Sequence, residues 1–364
     1  MNSSALISEL RTRMNINYLQ YILRGAGIPT ARSWAQLGMI LEQAINKDPR
    51  LYSRLADALK DLAVNDMKSV AYFSVTSSVG QVLADGLKNL KISSSGLAKK
   101  YPLMASSEEL SSATEKYEIV DVFSDEFGVG CVLSRRRRFE VSEEYTRENF
   151  SSDLPERFKE YDKFVATKYV SRQTFDVIYY DVGLNVLQLR ADVMRGSAVL
   201  QTVQQQRKSN EDLRTFSGVV FGATVYNSGI GLPLNLLPLI KNIYSDPSGA
   251  IKKLGFRTES DSVKHETMQG GRDLRTEEFH LNGAKAIDHK IMPFEISIIW
   301  HRKDIDGTDS IPELFIPGSC REAMKLGARY DHAIVRGIKY ASDNRFVTQK
   351  ILTLMPKNEH RPSA

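Results

Sequence analysis

The sequence predicts an α+β fold: an N-terminal helical bundle followed by a larger mixed domain with an antiparallel sheet. Apolar residues recur at helical spacing through residues 1–91. A serine-rich stretch at 92–116, poor in large apolar residues, then interrupts the pattern. Beyond it the period changes from helical to alternating, the mark of strands. The chain therefore divides into a helical bundle at 1–91, a linker at 92–116, a mixed α+β domain at 117–355 and a polar tail at 356–364.

Each element has a local reason. In "NINYLQYILRGAG", Asn15 caps and Gly25 ends a helix presenting Ile16, Leu19, Ile22 and Leu23 on one side. "SWAQLGMILEQAI" repeats the period with Trp34, Leu37, Ile40, Leu41 and Ile45. "KDPRLYSRLADALKDL" opens on Asp48 and Pro49 and carries a stripe of Leu51, Leu55, Leu59 and Leu62. A further helix, "VGQVLADGLKNL", offers Val79, Leu83, Leu87 and Leu90 to the same bundle. "YEIVDVF" and "GVGCVL" flank the turn "SDEFG", and "FVATKYV", "FDVIYY" and "VLQLRADV" read as three further strands. In the last, Leu187, Leu189, Ala191 and Val193 face one way and Gln188, Arg190 and Asp192 the other, which describes a half-exposed meander. A polar helix at "SAVLQTVQQQRKSNEDLRTF" and an apolar one at "LNLLPLIKNIYS" follow. "TESDSVKHETMQGGRDLRTEEF" is polar enough to be a surface excursion. "FEISIIW" and "PELFIPG" form a last hairpin, and "CREAMKLGARYDHAIVRGIKYA" fits no single pattern.

Composition excludes several classes. An apolar fraction of 42% and a charged fraction of 26% over 364 residues describe a globular chain with room for a proper core. The longest apolar run, "GLPLNLLPLIKNI", is far short of the ~20 residues of a membrane span and holds two prolines. The opening "MNSSALISELRTRMN" meets charge by residue 9 and so does not read as a secretory signal. Two distant cysteines, Cys131 and Cys320, suit a reducing compartment and no structural zinc. A soluble, cytoplasmic protein without a membrane partner is expected.

No motif carries a definite chemistry. "DIDGTD" resembles the nucleophile loop of haloacid-dehalogenase-type phosphatases, but "WHRK" separates the strand from Asp304 and Asp309 follows Thr308. Too little chain remains after it for that fold, so a turn around Asp306 and Gly307 is expected. No GxxxxGK[ST] is present, and the six histidines show no metal-ligand spacing. No cofactor, metal or catalytic residue is called for. Asp176 and Asp181 are the acids a metal-dependent nuclease would use, but no Glu-x-Lys accompanies them. The hairpin of residues 15–45 looks like a SAP-type DNA-binding element, yet lacks the Gly-x-Lys that many such hairpins carry; it also looks like one corner of a death-fold-type bundle, and it assigns no family.

The unusual feature is "SRRRRFEV", residues 134–141. Alternation places Arg135 and Arg137 on the face of Cys131, Leu133, Phe139 and Val141. Burying two unpaired guanidinium groups is too costly, so the strand is expected to end, bulge or leave the sheet there. Glu140, Glu143, Glu144 and Glu148 are the nearest acids able to neutralise the run. Further cations are Arg11, Arg13, Arg24 and Arg32 on the bundle, Lys252 and Lys253 near "LGF", and Arg207 with Lys208. With a net charge of +5, these residues point to a non-enzymatic protein that binds the phosphate backbone of DNA or RNA through Arg135, Arg136, Arg137 and Arg138. Two alternatives remain open. One is an assembly subunit that docks or self-associates through residues 1–91; the other is a nuclease.

Overall fold

The computed structural model describes residues 3–150, 156–158, 160–193, 203–222, 229–303 and 309–356. Among them the mixed α+β reading holds: twelve helices and a ten-stranded antiparallel sheet, with most of the N-terminal helices ahead of it in the chain. The turn expected at Asp304–Thr308 lies outside the described residues.

Four helices form the bundle: α1 (Ser3–Arg13), α2 (Ile16–Gly25), α3 (Trp34–Lys47) and α4 (Arg50–Asn65). Asn15 caps α2 by accepting from the Asn17 N–H at 2.8 Å, and the Asp48 carboxylate accepts from the Arg50 N–H at 3.1 Å. Their stripes meet in one cluster in which Leu6, Leu10, Leu19, Leu23, Leu37, Leu41 and Leu55 are fully buried. Each such leucine contributes about 1.5–3 kcal/mol.

Apart from a separate two-stranded ladder of β9 (Arg302–Lys303) and β10 (Asp309–Ser310), the strand order of the sheet is β2 (Glu118–Ser124), β3 (Gly128–Thr146), β4 (Lys163–Asp181), β5 (Val186–Asp192), β1 (Lys68–Ser74), β12 (Ala333–Arg336), β11 (Glu313–Ile316), β8 (Ile291–Ile299), β6 (Ala250–Thr258) and β7 (Val263–Thr267). Near its centre lies β1 (Lys68–Ser74), paired to β5 (Val186–Asp192) and β12 (Ala333–Arg336). This strand falls inside the stretch expected to be all helix. The helix after it, α5 (Ser77–Lys88), packs on the sheet with Leu83 and Leu87 rather than on the bundle. Gly80 is what allows the close approach, since a Cβ there would stand 1.8 Å from the Tyr180 hydroxyl. Gly80→Ala is expected to destabilise the protein by about 1–3 kcal/mol in urea unfolding, although alanine is the better helix former.

The expected linker is also packed. It holds α6 (Gly96–Lys100) and α7 (Ser107–Ser112), and Leu97 is buried with Val132 and Phe175. One sheet face, with Phe73, Cys131, Leu133, Ile178 and Leu189, lies under α5 and α8 (Val203–Phe221). The other face, with Val70, Tyr72 and Val186, packs with α9 (Leu237–Ser245) and α12 (Ala341–Leu354). The meander is therefore not half-exposed. Gln188 and Arg190 face the way alternation predicts, but are 1% and 3% exposed. Gln188 donates to Thr348 of α12 at 3.2 Å, and Arg190 donates to Gln188 at 3.0 Å while lying over the Tyr179 ring.

"FEISIIW" and "PELFIPG" do pair, as β8 (Ile291–Ile299) and β11 (Glu313–Ile316). The polar excursion contributes β7 (Val263–Thr267), an exposed edge strand beside β6 (Ala250–Thr258), and begins α10 (Glu278–Ala286). The unassigned stretch resolves into α11 (Cys320–Ala323), β12 and the start of α12.

The longest elements are β3 (Gly128–Thr146) and β4 (Lys163–Asp181), which pair over all nineteen residues. The two segments "FVATKYV" and "FDVIYY" are one strand. β2 (Glu118–Ser124) leaves β3 at Ser134, and β5 leaves β4 at Val177. Beyond those points β3 and β4 continue as a two-stranded ribbon. Such a ribbon is marginal alone. This one is held by Lys163–Glu144 and Lys168–Glu143 pairs at 2.5 Å and by Phe150 packed on Tyr145 and Phe164.

Candidate phosphate-binding groove

The four arginines sit on β3 where β2 has just ended, so one strand edge is free of a β partner. The strand neither stops nor bulges here; its register with β4 is unbroken from Gly128 to Thr146. Alternation placed Arg135 and Arg137 on the inner face, and that is where they are. Of the expected outcomes the strand takes the third, running on past β2 and β5 as a ribbon, and pairing keeps the two inward guanidiniums from being buried alone.

Arg137 donates to both oxygens of Asp176, at 2.9 and 2.6 Å, and to the Asp192 carbonyl at 3.1 Å. Asp176 also accepts from the Tyr117 hydroxyl at 2.8 Å and the Asp192 N–H at 2.6 Å. Burial alone would push the Asp176 carboxyl up, but the Arg137 and Arg135 guanidiniums and these hydrogen bonds hold it below the usual range. Lys68, also buried, continues the network to Asp192 at 3.1 Å and to the Phe175 carbonyl at 2.6 Å. Arg135 lies 4.1 Å over the Tyr117 ring and donates to Asp212 of α8 at 2.9 Å.

The outward pair is anchored differently. Arg136 donates to the Ser111 carbonyl at 2.5 Å and reaches Glu115 at 3.5 Å. Arg138, 59% exposed, meets the same Glu115 at 2.8 Å. Three of the four expected neutralising acids are engaged elsewhere: Glu143 and Glu144 with ribbon lysines, and Glu140 with the Tyr169 hydroxyl.

A cavity of about 240 Å³ wraps this edge. All four arginines, Glu115 and Phe139 line it, together with Gln205, Lys208, Ser209 and Asp212 from α8. The Nε–H groups of Arg135, Arg136 and Arg137 are buried, and none has an acceptor among the described residues. Lys208 was visible in the sequence only as half of a basic pair. Asp212 and Glu115 carried no signal, since tertiary folding alone brings them to the arginines.

The other predicted cations do not join the groove. Arg11, Arg24 and Arg32 are exposed on the bundle. Arg13 is internal, donating to the Pro102 carbonyl at 2.8 Å and lying over Phe175. Lys252 donates to the Met268 carbonyl, and Lys253 pairs with Glu295 at 2.9 Å. Six strands separate their strand from β3, which is roughly 30 Å across the sheet.

No protein-family model matches the chain, and no curated protein matches it significantly.

The acids weighed for nuclease chemistry are buried, not at a solvated edge. Asp176 is saturated by its partners, and Asp181 accepts from the Leu184 N–H at 2.9 Å with Arg345 at 3.8 Å. Among the described residues no group of three His, Cys, Asp or Glu side chains is placed to hold a metal ion. Cys131 is a core residue whose thiol burial pushes up to about 12. Among the described residues no helix is long and apolar enough to cross a membrane.

Proposed function

We propose that this protein associates with nucleic acid without cleaving it, taking phosphate into the groove at the free edge of β3. The supporting observation is the single groove that all four arginines line together with Lys208. Guanidinium donors in a recess favour phosphate oxygens over water. Lys208 and Arg138 at the rim add charge that draws the strand in. Contacts of this kind read the backbone, so little sequence preference is expected.

The test is fluorescence anisotropy with labelled DNA and RNA at several salt concentrations. With three or four phosphates engaged, single-strand affinity should fall roughly thirtyfold between about 50 and 200 mM salt. Arg138→Ser with Lys208→Ser should weaken binding and flatten that dependence. This pair leaves the buried Arg137–Asp176 contact intact, so lost binding would not be lost folding. Wild-type protein that binds neither DNA nor RNA at low salt would end the proposal.

A second reading has its own observation. A groove of about 540 Å³ on the bundle combines Ile28, Ile40 and Ala44 with Lys47, Arg50 and Arg54, a surface suited to an acidic amphipathic segment of a protein partner. Under that reading, changing Lys47, Arg50 and Arg54 to Ser abolishes partner binding and leaves nucleic-acid affinity unmoved.

A further inference from the structure

We infer that the groove selects the terminal phosphate monoester of a single nucleic-acid strand over an internal phosphodiester, and that Glu115 and Asp212 set this preference. The inference rests on the nucleic-acid reading above and narrows it to one kind of ligand.

The first argument is access. The side chains of Arg135, Arg136 and Arg137 are 11%, 18% and 9% exposed. Phosphates on a duplex ride on a stiff cylinder and cannot enter such a recess. A strand end can.

The second argument is charge. The arginines already hold carboxylates: Asp212 on Arg135, and Glu115 between Arg136 and Arg138. An internal phosphodiester carries about one negative charge, so on displacing a carboxylate it replaces like with like. A phosphate monoester carries about −1.5 to −2 and three acceptor oxygens, so it gains where the diester does not. Both acids are partly exposed, 40% and 51%, and free to swing into solvent when displaced.

The experiment compares one single-stranded oligonucleotide with a 5′-phosphate, a 3′-phosphate or hydroxyl ends, alongside its duplex, in competition anisotropy with the full chain. A phosphorylated end should bind about tenfold tighter than hydroxyl ends, and the duplex no better than the latter. In Glu115→Gln with Asp212→Asn the hydroxyl-ended strand should gain affinity and the ratio should shrink. Lys208→Ser, at the exposed rim, should weaken the phosphorylated form most. Equal binding of phosphorylated and hydroxyl-ended strands, with salt dependence intact, overturns this inference and leaves the nucleic-acid reading standing. Binding of neither form removes both. A phosphoserine peptide that binds as tightly as the phosphorylated strand also overturns it, since the ligand would then be a protein.

Discussion

Asp176→Ala is expected to destabilise the protein by about 3–5 kcal/mol, read as a lower urea midpoint. Asp176 is fully buried and answers three donors: Arg137 through both oxygens, the Tyr117 hydroxyl and the Asp192 N–H. Alanine leaves the Arg137 guanidinium, only 9% exposed, with one backbone carbonyl and, as its near counter-charge, an Asp192 carboxylate already paired to Lys68. A buried charge stripped of its partner is costly, whereas removing both charges need not be. Arg137→Met combined with Asp176→Leu should therefore recover much of the loss. If Asp176→Ala instead loses under ~1 kcal/mol, water reaches Arg137 through the groove and the recess is wetter than its burial implies. Acid should probe the same contact. The Asp176 carboxyl lies below its unfolded value, so its contribution is complete above pH ~4 and is lost as pH falls through the depressed folded value.

That contact also marks how far the sequence could be read. Strict alternation put Arg135 and Arg137 on the inner face, correctly. The inference that neither could be buried assumed that nothing inside could pair them. Their partners stand 39 and 77 residues away, on β4 and α8, and one-dimensional spacing holds no record of such distances. The central strand β1 was hidden for a related reason. Six of its seven residues are buried, so "KSVAYFS" shows no alternation and follows helices without a turn signal. The helix α12 was missed because Asp343, Asn344 and Thr348 lie on its buried side, where an apolar stripe would be sought. Asn344 donates to Asn65 at 2.7 Å, and Asp343 accepts from Ser310 at 2.7 Å. The bundle was legible because its leucines face only one another. The groove was legible in its arginines and not in the acids that hold them.

The second large effect is on stability against pH. His332 is 5% exposed, and its Nε2 has no hydrogen-bond partner among the described residues. Burial, and then the positive charge of Arg207, push its pKa down to about 4, with Glu322 opposing. Arg207 is itself fixed to Glu322 at 2.6 Å, so it does not swing away when the imidazole is protonated. As pH falls from ~6.5 towards 4 the unfolded chain gains a proton that the folded chain refuses, and stability drops across that window. The full shift corresponds to roughly 3 kcal/mol. Above pH ~6.5 the imidazole is neutral in both states and contributes no slope. Urea midpoints at pH 7.5 and 4.5 should therefore diverge more for the wild type than for His332→Gln, because other titrating groups are common to both proteins and cancel. If the two proteins lose stability in parallel, the folded imidazole accepts its proton as readily as the unfolded one, and the Arg207–Glu322 pair must open to let it.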